Sequence, residues 1–292
     1  MKSRILIIGM LLTLITISCT KKDDVDTATI TADEATVNAK IDIASDDIAR
    51  IVEEQLTAND GVLGRLSAAA PTSLPACATV NRIPADNTSI AVGDLITKTI
   101  DFGITDCVLS NGNKLRGKII ISFLYQPNAA SHTVTYTFVD FYHNGRQFNG
   151  TKDFVRTMTV GTTASPSHPI VVMNMDMVMT LPDGRTFTRI GTRTREIIAG
   201  YANPDLNLNN NVYSVTGSWT TTYPNTTIQN STITSPLIVK IACTPISSPI
   251  AQGVITFTRN TRVATLNYGN GSCDNTAIFT LNGNSYTIVL RN

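Results

Sequence analysis

Apolar residues return at helical spacing early in the chain: Val37, Ile41, Ile48, Val52 and Leu56. Thr31 and Glu34 frame the start of this stretch as a capping box, with the threonine hydroxyl serving one backbone N–H and the glutamate reaching back to another. Asp60-Gly61 and Gly64 end the pattern, so one or two helical segments are predicted within 32–57. Ser67 to Ala76, "SAAAPTSLPA", carries two prolines and reads as a linker. From Cys77 onward the period changes to two. Short alternating runs are separated by Asn111-Gly112, Asn144-Gly145, Asp183-Gly184 and Asn282-Gly283, dipeptides that favour tight hairpin turns. The reading is about twelve strands and no further helix. The predicted fold is mainly β: a large antiparallel meander, as a curved sheet or a partly open barrel, preceded by a short N-terminal helical segment.

The first residues follow neither period. Lys2 and Arg4 precede Ile5 to Ile17, an apolar or neutral run of 13 residues. As a helix it reaches only about 20 Å, short of the roughly 30 Å of a bilayer core. A charged start, a short apolar core and the small Ser18 describe a secretory signal. With Cys19 directly after it, the segment resembles a bacterial lipoprotein signal, in which that cysteine carries the lipid. Lys21, Lys22, Asp23 and Asp24 resemble the Lys-plus-acidic signal of Bacteroidota-type lipoproteins bound for the outer face of the outer membrane. The resemblance implies a signal peptide at 1–18. With the periodicities above, the rest of the chain divides into a polar tether at 19–30, a helical segment and linker at 31–76, and an antiparallel β domain at 77–292 with related Cys-containing segments near both ends. The partner it implies is the lipid bilayer, reached through an acyl anchor on Cys19. The location it implies is the outer membrane, on the extracellular face or alternatively the periplasmic one. Each buried lipid methylene is worth about 0.8 kcal/mol, and several chains make a stable anchor.

Composition narrows the field further. Without Lys2 and Arg4, the 23 basic residues become 21 against 22 acidic ones, a net charge of −1. Nucleic acid calls for a strongly basic face, so it is not an expected partner. Five cysteines less Cys19 leave four, an even number in an exported chain, which reads as two disulfides. An internal repeat bears on their pairing. "KTIDFGITDC", Lys98 to Cys107, matches "ATLNYGNGSC", Ala264 to Cys273, and the same offset aligns Phe102 with Tyr268, Gly103 with Gly269 and Cys77 with Cys243. Pairing within each copy, Cys77 with Cys107 and Cys243 with Cys273, is the expectation; pairing across copies also respects the repeat. A second repeat relates "NGRQFNGTKDFVRT", from Asn144, to "DGRTFTRIGTRTRE", from Asp183, as successive hairpins of a meander.

The lipoprotein signal, the "DFG…C" and "YGNGSCD" segments and the "GTRTRE" strand together resemble a group of Bacteroidota-type surface lipoproteins. That resemblance implies a location and carries no activity. His132, His143 and His168 lack metal-ligand spacing, and the chain has neither a nucleophile elbow nor a phosphate-binding loop. No enzyme activity, cofactor or metal is expected.

Two features remain as candidate chemistry. Met173, Met175, Met177 and Met179 alternate, which in a strand puts four thioethers on one face. They are a candidate ligand groove; the alternative is packing onto the helix or within the curved interior. Arg189, Arg193 and Arg195 share parity on one strand, Lys152 and Arg156 on the related earlier one, and Lys114, Arg116 and Lys118 on another. If these strands are neighbours they form a basic face able to hold acidic polysaccharide or lipid headgroups; the alternative is a solvated outer face. The leading functional expectation is a non-enzymatic surface lipoprotein with a structural, adhesive or ligand-binding role, its partner a polysaccharide or a surface protein. The alternatives are a glycan-binding lipoprotein of an uptake system, which the single Trp219 counts against, and an acyl-chain carrier with a half-barrel groove.

Overall fold

A computed structural model describes residues 29–57, 74–86, 88–162, 166–201, 208–244 and 247–290. The signal peptide, Cys19 and most of the tether lie outside the described residues. One helix, α1 (Ala32–Thr57), precedes fourteen strands. These are β1 (Thr79–Ile83), β2 (Leu95–Asp101), β3 (Cys107–Val108), β4 (Lys114–Leu124), β5 (Ser131–His143), β6 (Arg146–Met158) and β7 (Pro169–Thr180). They continue as β8 (Thr186–Ala199), β9 (Val212–Thr222), β10 (Ile228–Lys240), β11 (Ile250–Arg259), β12 (Arg262–Asn270), β13 (Thr276–Leu281) and β14 (Asn284–Val289). Apart from the short β3, which pairs with β4, each strand lies beside its neighbours in sequence. The result is a single antiparallel meander with β1 and β14 as its open edges.

The capping box forms. The Thr31 N–H donates to Glu34 Oε2 at 2.9 Å, and the Glu34 N–H donates to Thr31 Oγ1 at 3.2 Å. The helix runs unbroken for 26 residues, about 39 Å. It packs against the β domain that it precedes. From Ala35 to Leu56 nearly every residue is buried, because the sheet curls round the helix. Two apolar clusters line the helix. Ile41, Ile48 and Val52 pack with Ile100, Ile119, Tyr136 and Phe141 of the first strands. Ala35, Ala39 and Ile43 pack with Leu237, Ile255, Phe257 and Phe279 of the last ones. At about 25 cal/mol per Å² of apolar area removed from water, this continuous interior is the main driving force for the fold.

Cys77 pairs with Cys107 and Cys243 with Cys273, the within-copy arrangement. The long repeat thus marks two like hairpins, β1–β2 and β11–β12, each closed by a disulfide. The shorter repeat marks the β5–β6 and β7–β8 hairpins. The first of these turns through Asn144 and Gly145, both at positive φ. Strand curvature comes from bulges. Gly117 is the clearest: its φ is +82°, and a Cβ there would lie 2.0 Å from the Asp140 carbonyl oxygen.

Strand alternation gives the sheet two chemically different faces. The concave face carries the core. The convex face carries a row of small polar side chains in direct register, Thr97, Ser122, Thr135, Asp153, Asn174 and Thr192, one on each successive strand from β2 through β8, leaving β3 aside.

Candidate functional site

The structure brings the predicted basic stripe together but turns it inward. Lys152, Arg156, Arg189, Arg193 and Arg195 are all buried on the concave face, so neither an external anion site nor a solvated outer face describes them. The anions of Arg189, Arg193 and Arg195 are internal and come from α1. Arg189 Nη1 donates to Asp42 Oδ1 at 2.6 Å, Arg193 Nη2 donates to the same oxygen, and Arg189 Nη2 donates to Asn38 Oδ1. The Tyr268 hydroxyl donates to the other Asp42 oxygen, and Arg195 Nη1 donates to Glu53 Oε2 at 3.2 Å. The guanidiniums also stack, Arg193 4.2 Å from the Trp219 ring centre and Arg195 3.5 Å from that of Tyr213. Gly191 makes room for this tryptophan: a Cβ there would lie 2.4 Å from Trp219 Cβ. Sequence reasoning missed the acidic partners because they lie on another element. Their signal is the spacing of Asn38, Asp42 and Asp46 four residues apart, one polar stripe along the helix.

The four methionines are likewise buried, and no open groove lies along them among the described residues. Helix α1 fills the space they face. Met173 borders a void of only about 20 Å³, room for a water molecule at most.

Lys114, Arg116 and Lys118 stay at the surface, where Arg116 meets Asp106 and Lys118 meets Asp101. Near Lys114 a polar cleft of about 530 Å³ opens. Its walls are α1 through Lys40 and Ile43, the start of β4, the β5–β6 turn and Leu290 after β14. A buried carboxylate holds these loops together. Asp47 accepts from Asn111 Nδ2 at 3.2 Å and Asn113 Nδ2 at 2.9 Å, meets His143 Nε2 at 2.9 Å, and pairs with Arg50. Burial works against the Asp47 anion, but the contacts with His143 and Arg50 outweigh it and hold the carboxyl well below its usual range. Asn144 then ties the turns to each other, donating to Asn113 Oδ1 and accepting the Lys114 N–H at 2.9 Å.

The cleft is positively charged. Lys40, Lys114 and Arg146 line it. Its one lining carboxylate, Asp106, already meets Arg116. Lys114 and Arg146 have no carboxylate partner among the described residues. Burial and the Arg146 charge lower the Lys40 ammonium pKa, and burial lowers that of Arg146. Comparisons with protein families, curated proteins and solved structures give no match to this chain.

Proposed function

We propose that the protein is a non-enzymatic, lipid-anchored surface protein that binds an acidic ligand, such as a uronate-bearing saccharide, in the Lys40–Lys114–Arg146 cleft. The observation that carries this reading is the gathering of three cations round a cleft of about 530 Å³, with a preformed loop scaffold behind it. That volume lies within the usual range for small-ligand sites. A guanidinium gives a carboxylate forked hydrogen bonds and an ammonium adds a point charge. The anchor rests on Cys19 and the apolar run before it. The acyl-carrier alternative has no support in the concave face, which α1 fills.

Titration calorimetry of the full chain in detergent with trigalacturonate tests the site. Binding is expected to weaken as salt rises and to fall at least about tenfold in Lys114→Ala/Arg146→Ala, the loss of roughly 1.4 kcal/mol or more. Equal affinity in the double variant, or no binding by the wild type, overturns the proposal.

A further inference from the structure

The polar row on the convex face does not stop at Thr192. It runs on in register through Ser218, Thr232, Thr256, Thr265, Thr280 and Ser285, to the far edge at β14. Twelve consecutive sheet positions therefore carry a hydroxyl, an amide or, once, a carboxylate, at the strand spacing of about 4.8 Å. Near both ends the groups satisfy one another. Thr97 meets Ser122 at 3.4 Å, Thr135 donates to Asp153 at 2.6 Å, Thr192 donates to Asn174 at 3.2 Å, and Thr280 meets Ser285 at 3.0 Å. The pairing breaks off from β9 to β12: the Ser218, Thr232 and Thr265 hydroxyls have no protein partner among the described residues, and Thr256 meets Thr234 outside the row. A depression of about 380 Å³ lies at that interruption. Thr192, Ser218, Thr232, Thr220 and Asn230 border it, along with Ile190, whose side chain is 57% exposed.

We propose that this depression is a subsite for an uncharged polysaccharide, and that the polar row extends it across the strands. No charged side chain borders the depression, so it offers an ion no countercharge. Hydroxyls and an amide both donate and accept, which suits a ligand whose own groups do the same: the hydroxyls of a sugar. Ile190 gives the carbon face of a ring an apolar contact. The sheet bends round α1, so a flexible chain can follow the row where a flat ice lattice cannot. The site is separate from the cationic cleft and independent of its reading.

Native electrophoresis of the full chain in detergent, through gels containing dextran, laminarin or an α-mannan, tests the proposal. At least one polymer should retard the wild type, equally at low and high salt. Thr192→Ala/Ser218→Ala/Thr232→Ala should lose about tenfold in affinity, the scale of two or three hydrogen bonds. Lys114→Ala/Arg146→Ala should be retarded as the wild type is. Ser218→Glu, a single change at an exposed position, should also abolish retardation and serves if the triple variant does not fold. The proposal is overturned if no neutral polymer retards the wild type, if the variants at the depression are retarded equally, or if salt abolishes the effect. Thermal hysteresis without retardation assigns the row to ice and overturns it too.

Discussion

Lys152 is the most informative single position for the buried charges. Its side chain is fully enclosed on β6, 5.9 Å from the Tyr136 ring centre. Burial first, and the Arg193 charge second, lower its pKa from 10.5 to about 7, with Asp46 pulling the other way. Between these two values the unfolded chain binds a proton that the folded chain does not. Stability attributable to Lys152 therefore rises with pH across that window, and its full cost is felt below pH 7. At 1.36 kcal/mol per pH unit the cost is about 5 kcal/mol. Replacement by methionine removes it but leaves Asp46 with one cation fewer. Burial already raises the Asp46 pKa, and the lost attraction subtracts from the gain. The expected net effect of Lys152→Met is a stabilisation of about 2–4 kcal/mol at pH 6, the scale seen when buried ions give way to apolar groups. By pH 10 the gain should shrink below about 1 kcal/mol. Urea denaturation at the two pH values, with disulfides intact and slopes compared, reads both numbers. A lower midpoint for the variant at pH 6, or an equal gain at both pH values, refutes the reasoning.

Asp42→Ala strands Arg189 and Arg193 in the interior and should cost about 3–5 kcal/mol in the same denaturation assay. Cys243→Ser/Cys273→Ser opens a loop of 30 residues and should cost about 3–4 kcal/mol in the chain-entropy account, read as a fall in Tm. Metabolic labelling with a radioactive fatty acid should mark the wild type and not Cys19→Ala; a labelled variant ends the lipid-anchor reading.

Whatever depends on local periodicity was legible in the chain. The capping box at Thr31 and Glu34 fixed the start of α1, because both partners lie within one turn. Asn-Gly and Asp-Gly set the hairpins, since the left-handed backbone of a tight turn suits few other residues. The repeat of Cys77 and Cys107 in Cys243 and Cys273 pointed to the disulfides. Parity correctly grouped Arg189, Arg193 and Arg195, and likewise the four methionines.

Parity, however, says only that side chains share a face. Which face meets water is decided by what packs there, and that depends on where α1 lies relative to strands as much as 226 residues away, as between Asp42 and Tyr268. The acidic stripe of the helix and the basic stripe of the sheet each look like solvated surface when read alone. Brought together they form an interior, because Asp42 and Glu53 offset the desolvated charges of Arg189, Arg193 and Arg195. The cationic cleft has the same origin. Lys40, Lys114 and Arg146 come from three elements, and only the curl of the sheet round the helix places them together.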